Sequence, residues 1–193
     1  MKKLALVVLF LVVSAGLAQA QTTAKLGLYA DPNGQLTSCQ APIEIFGTDS
    51  IYLYYVKGNG YDLGFAVEFK GVLSNFDAGE SDLVPAPRWS NLFTLSQGDL
   101  LNGISLTASQ CLGVNQSYVL LGTIFVQYTG FDVNVPFTLR IIQHPDTGDI
   151  RMTRCDTQMT IDVINGSWFV FNGICDLGTQ PKSWGTIKSL YNK

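Results

Sequence analysis

Few residues in this chain have side chains suited to chemistry: one histidine, four cysteines and scattered carboxylates. His144 precedes Pro145 at the end of a strand pattern and enters a turn, which suits an exposed structural role better than catalysis. A serine nucleophile needs a strained elbow, and no G-x-S-x-G string occurs. Phosphate-cradling and dinucleotide fingerprints are absent as well. With one histidine and no C-x-x-C, a typical zinc or thiol-redox centre has too few ligands. Neither an enzyme nor a cofactor is expected. Glycoside hydrolysis is the exception to weigh, because it needs only two carboxylates across a cleft. Asp77, Glu80 and Asp82 cluster in one loop and could alternatively ligate calcium. They lack the regular D-x-D-x-D-G spacing, so a solvated acidic loop is the expectation, as it is for Asp146 and Asp149 beside a turn glycine.

Aromatic residues suggest binding instead. In Ile51–Val56 the two-residue period puts Ile51, Leu53 and Tyr55 on one face and Tyr52, Tyr54 and Val56 on the other. If the first face enters the core, Tyr52 and Tyr54 are presented for stacking against a sugar or a protein surface. Trp89 follows Pro85-Ala86-Pro87-Arg88, read here as a stiffened loop holding an exposed indole. Tyr52, Tyr54 and Trp89 are the candidate ligand-binding residues. The bland alternative is that all three are packing residues.

The first twenty residues read as an export signal: Met1-Lys2-Lys3, then an unbroken apolar run from Leu4 to Val13, then a small-residue end at Ala18-Gln19-Ala20. The apolar run is too short to span a bilayer, which takes about twenty residues. Cleavage after Ala20 would leave 173 residues with ten Lys and Arg against fifteen Asp and Glu. That length suits a β domain over 21–178 with a polar linker and short tail over 179–193. An acidic chain without a basic cluster argues against nucleic acid. A secreted or periplasmic product with no transmembrane segment is expected. There, four cysteines read as two disulfides.

The elements that would position these groups are strands. Lys25–Tyr29, Ile51–Val56, Phe65–Lys70, Ile104–Ala108, Tyr118–Tyr128 and Val133–Ile142 carry strand periodicity or composition. Turn formers such as Asp31-Pro32-Asn33-Gly34 and Pro145-Asp146-Thr147-Gly148 separate them. Nineteen glycines suit many tight turns. The pattern predicts an all-β, two-sheet antiparallel sandwich, with a closed barrel as the alternative. Asn165-Gly166 is the strongest hairpin signal, predicting a type I′ turn with Val163 facing Trp168. Extended with a one-residue bulge, that register sets Cys155 opposite Cys175 and leaves Cys39 to Cys111. In the tail, Trp184, Ile187 and Leu190 or Tyr191 would share one face of a two-turn helix. It is too short to stand alone and would dock on the domain, dock on a partner or stay frayed. Asn115 and Asn165 lie in glycosylation sequons, relevant only in a eukaryotic secretory route.

Several strings together resemble an uncharacterised group of exported bacterial β-sandwich proteins with two disulfides. They are Gly27-Leu28-Tyr29-Ala30-Asp31-Pro32-Asn33-Gly34 with Cys39, Ser109-Gln110-Cys111, His144-Pro145-Asp146-Thr147-Gly148-Asp149-Ile150 with Cys155-Asp156, and Asn172-Gly173-Ile174-Cys175. These motifs are turns, strands and cysteines, so no functional residue transfers. The middle of the chain, from Gly64-Phe65-Ala66-Val67-Glu68-Phe69 to Leu121-Gly122-Thr123-Ile124-Phe125, is similar to cohesin and carbohydrate-binding sandwiches. That resemblance implies a fold, and fold does not determine function. Three readings follow: an interaction module binding protein or glycan through aromatics, a structural component using sheet edges or the tail (Trp184, Ile187, Tyr191), and a carboxylate hydrolase.

Overall fold

The computed structural model describes residues 24–33, 36, 38–58, 64–75, 83–113, 116–130, 136–155 and 161–175. The export signal, the loop with Asp77, Glu80 and Asp82, Asn115, and the tail with Trp184, Ile187 and Tyr191 lie outside them. Along the chain run β1 (Lys25–Tyr29), β2 (Gln40–Ala41), β3 (Thr48–Val56), β4 (Gly64–Asn75), β5 (Leu83–Trp89), β6 (Phe93–Asp99) and β7 (Gly103–Leu112). β8 (Tyr118–Tyr128), β9 (Phe137–Ile142), β10 (Arg151–Arg154), β11 (Ile161–Val163), β12 (Asn165–Gly166) and β13 (Trp168–Phe171) complete them. There is no helix among the described residues.

Two sheets form, as the strand pattern predicts. The first has five strands in the order β12-β1-β3-β8-β5. The second has eight, β11-β10-β4-β9-β13-β2 with β7 and β6 continuing from β4. All pairings are antiparallel except two short parallel contacts, β1 with β12 and β13 with β2. The long strand β4 organises the second sheet: its first half pairs β7 and β10, and its second half pairs β9.

Side-chain alternation fills the space between the sheets. Leu26, Leu28, Ile51, Leu53, Ile124 and Val126 come from one sheet, and Val67, Phe69, Ile104, Leu106, Leu139 and Phe169 from the other; all are buried. Burying each such side chain is worth about 1.5–3 kcal/mol. Aromatic pairs bridge the layers, with Tyr128 and Phe137 ring centroids 4.9 Å apart and Phe69 meeting Trp89 edge-on at 6.0 Å. At the β6–β7 turn, the Asn102 side chain donates to the Asp99 carboxylate, as do the Asn102 and Leu101 amides. The Asn102 side-chain bond is the largest influence holding Asp99 below the usual carboxylate range.

The segment 161–171 overturns the expected hairpin. β11 pairs β10 in the second sheet, setting Val163 opposite Arg151. Two residues later Asn165 and Gly166 lie beside Lys25 and Leu26 in the first sheet. β13 then returns to the second sheet, where Trp168 faces Arg140. The chain crosses the edge of the sandwich instead of folding back. Ser167 secures the crossing: its carbonyl accepts from the Ile141 amide at 2.8 Å and its hydroxyl from the Leu28 amide at 2.9 Å. Gly166 does not have positive φ. It is glycine for close approach, since a Cβ there would collide with the Ile141 carbonyl and lie 2.8 Å from Ile150 Cδ1.

Without the hairpin, the expected disulfide pairing fails too. The bridges are Cys39–Cys175, with Cα atoms 5.8 Å apart, and Cys111–Cys155, at 5.7 Å. Leu112 and Arg154 both pair with Gly64 at the start of β4, so the adjoining Cys111 and Cys155 meet there. Parallel pairing of β2 with β13 brings Cys39 to Cys175, and the Gln40 side chain accepts from the Cys175 amide at 2.8 Å. Two disulfides form, joined by a topology that local register cannot reveal.

Candidate functional site

His144 is buried, not exposed. Its carbonyl accepts from the Gly148 amide at 2.9 Å, its amide donates to the Asp149 carbonyl at 3.0 Å, and its Nδ1 accepts from the Asp146 amide at 3.3 Å. Nε2 lies 2.9 Å from where a Cβ on Gly103 would stand. The imidazole closes a turn and packs on the β6–β7 connection. Asp149 is engaged by Arg151 at 3.3 Å. No three His, Cys, Asp or Glu side chains converge as a metal site among the described residues.

The three candidate aromatics do not form one surface. Tyr54 is only 2% exposed, because the turn after β1 folds over it and the Pro32 carbonyl accepts its hydroxyl at 2.9 Å. Trp89 belongs to a strand, not a loop. It pairs with Gly122, whose missing side chain leaves room for the indole to turn inward onto Phe69. Pro85 and Pro87 belong to that strand because β5 is the edge of its sheet. Both lie opposite β8 residues, and a proline is tolerated there only with its donor-less nitrogen on the open side. The same feature blunts the edge against pairing with another chain. Of the three, only Tyr52, half-buried, stays on the outer face without being covered over.

That outer face nevertheless carries aromatic and apolar side chains in register, set among Thr123, Arg88 and Ser50. Tyr29, Tyr52, Thr123 and Arg88 form one cross-strand row, and Ser50, Phe125 and Ala86 the next. Phe125 is 44% exposed, and Val84, its diagonal neighbour on β5, is 52% exposed. Beyond Tyr52 the β3–β8 register shifts: Leu53 pairs Gly122 but Tyr54 pairs Leu120, so Leu121 is an extra residue. This bulge resets the parity of β8, so Leu120 and Tyr118 face outward together with Thr123 and Phe125. Tyr118 meets Tyr54 edge-on at 5.8 Å, and Tyr54 meets Tyr29 likewise at 6.1 Å. Simple alternation hides this set, because most of Tyr118–Tyr128 is apolar and either parity reads as core.

At the Tyr118 end this face opens into a cleft of about 380 Å³, within the range of small-ligand pockets. Asn33, Asn91 and Gln116 stand around Tyr118, with Tyr54 and Leu120 at its base. A second cleft of about 420 Å³ shares Leu92, Gln116 and Val119 with it and extends toward Cys111. Neither has a carboxylate among its described lining residues.

A further apolar feature precedes β3. Ile45 and Phe46 are exposed at the tip of a turn closed by the Gly47 amide donating to the Glu44 carbonyl at 2.8 Å. The turn is clamped from below, as Asn172 Oδ1 accepts from the Ile43 amide and Nδ2 donates to the Ile43 carbonyl. Phe46 has φ of 54°, a left-handed conformation that suits glycine and strains a bulky aromatic. Phe46→Gly is expected to raise stability by about 1 kcal/mol, read as a higher urea midpoint. An unchanged or lower midpoint would mean that the side chain contributes more packing than its backbone strain costs.

No protein-family model matches the chain, and no curated protein matches it. Among solved structures it is similar to a cohesin module from a Clostridium perfringens family 33 glycoside hydrolase, at TM-score 0.45 and 8% identity over 78% of this chain and 98% of that one. The seventh ScaB type I cohesin of Pseudobacteroides cellulosolvens gives TM-score 0.44 and 9% identity over 80% and 96%. CaCohA2 of Clostridium acetobutylicum gives 0.39 and 12% over 83% and 95%. These are distant likenesses between sandwiches.

Proposed function

We propose that this chain is a non-enzymatic recognition module of an extracytoplasmic compartment, binding protein or glycan on the outer face of its five-stranded sheet. The carrying observation is that exposed Phe125 and Val84 at one end of this face and exposed Tyr118 at the other are joined through half-buried Tyr52 and Leu120. Two disulfides support an oxidising compartment. The lining of both clefts, without described carboxylates, favours binding over glycoside hydrolysis.

The test is the purified chain on an array of cell-envelope proteins and polysaccharides, beside the double variant Phe125→Ser with Val84→Ser. Both positions are exposed, so stability should change by less than about 0.5 kcal/mol while array binding falls at least tenfold. Binding that survives both this variant and Tyr52→Ala removes the reading.

A second reading, self-assembly into an envelope structure, is favoured by Ile161 and Val163, both exposed on β11 at an end of the second sheet. It also gives the Trp184, Ile187 and Tyr191 segment a docking role. A monomer across the accessible concentration range in sedimentation, with or without residues 183–193, rejects it.

A further inference from the structure

We infer that the cleft at Tyr118 binds an uncharged oligosaccharide, with one sugar ring stacked on Tyr118 and further units running over Gln116 toward Cys111. This inference rests on the outer-face reading and names the ligand class for one end of that face.

The chemistry of the lining carries it. Asn33, Asn91 and Gln116 are exposed carboxamides, each able to donate and accept, as sugar hydroxyls also do. No charged residue is among the described lining of either cleft, so none of these residues would offset the desolvation of a charged ligand. Tyr118 is 39% exposed, leaving ring surface for an apolar sugar face. It is also braced: Tyr54 meets it edge-on, and Tyr54 is itself pinned by its hydroxyl to the Pro32 carbonyl. A braced aromatic has little freedom left to lose on binding. The bulge at Leu121 makes the site, since without it Tyr118 would share its parity with the core residues Ile124 and Val126.

The shape adds a length requirement. The two clefts share Leu92, Gln116 and Val119, so they adjoin and an extended ligand can reach both. A single sugar occupies only one of them, and affinity should rise with chain length.

Isothermal titration with cellohexaose, chitohexaose and laminarihexaose, each beside its monosaccharide, tests this on the full processed chain. At least one hexamer is expected to bind and its monosaccharide to bind at least tenfold more weakly. Tyr118→Ala should weaken the hexamer about tenfold, the size of a lost stacking contact, while Tyr118→Phe keeps it. Asn91→Ala and Gln116→Ala, both at exposed positions, should each weaken it with an unchanged unfolding midpoint. No binding of any hexamer, or equal binding by wild type and Tyr118→Ala, overturns the inference. If array binding is lost in the Phe125 and Val84 double variant but not in Tyr118→Ala, the cleft is rejected and the outer-face reading stands. If the hexamer binds only through Tyr118 and the double variant binds normally, the ligand occupies the cleft alone and the broader face is not used.

Discussion

Replacing Cys39 and Cys175 by serine is expected to destabilise the chain by about 5 kcal/mol, and replacing Cys111 and Cys155 by about 4 kcal/mol. The difference comes from loop length: the first bridge spans 136 residues and the second 44. Each restrains the unfolded chain by closing a loop, and the longer loop removes more conformational freedom. The first bridge also holds β13 to β2, which has only two residues in the ladder and little pairing of its own. Urea unfolding of the two double-serine variants measures the ranking. Mapping disulfide-linked peptides without reduction checks the pairing directly. A Cys155–Cys175 peptide would contradict the topology described here, because it requires 161–171 to fold as a hairpin.

Gly166→Ala is expected to cost about 2–3 kcal/mol, as a methyl group is forced against backbone in a closed space. The Ile141 carbonyl blocks it, and that carbonyl belongs to a central strand that cannot move without disturbing β4 and β13. Gly148 is the control. Its φ is 72° but nothing lies within 4 Å of an added Cβ, so Gly148→Ala should cost only about 1 kcal/mol of torsional strain. Equal losses in thermal or urea unfolding would mean that both glycines serve backbone conformation, as a type I′ hairpin at Gly166 requires. A clearly larger loss at Gly166 supports the sheet crossing.

These two results probe the places where local pattern and long-range contacts disagree most, and for related reasons. Asn165-Gly166 has the composition of a hairpin turn, but the same dipeptide suits any tight approach that excludes a side chain. Choosing between them requires knowing that Ile141 and Ile150 stand opposite. The Pro85–Trp89 segment read as a loop because prolines interrupt a ladder; β5 accepts them because it is an edge. Tyr54 was expected to be presented because alternation puts it on the outer face, and it does lie there. Alternation cannot report that the Pro32 turn covers that face. Tyr118, Leu120 and Phe125 went unmarked because a bulge switches parity within an almost wholly apolar strand.

Alternation and turn composition alone determined the class of fold, because they are short-range properties: inward residues recur every second position in Phe65–Lys70 and in Phe137–Ile142 whatever the strands pair with. They were enough for two layers of strands, while an even cysteine count in a chain with an export-like start was enough for two disulfides. Only tertiary structure decided which cysteines meet, which side of each layer is covered, and where an exposed aromatic stands beside a groove. Those are properties of strand order and register, which depend on contacts between residues far apart in the chain and leave no trace in the local pattern.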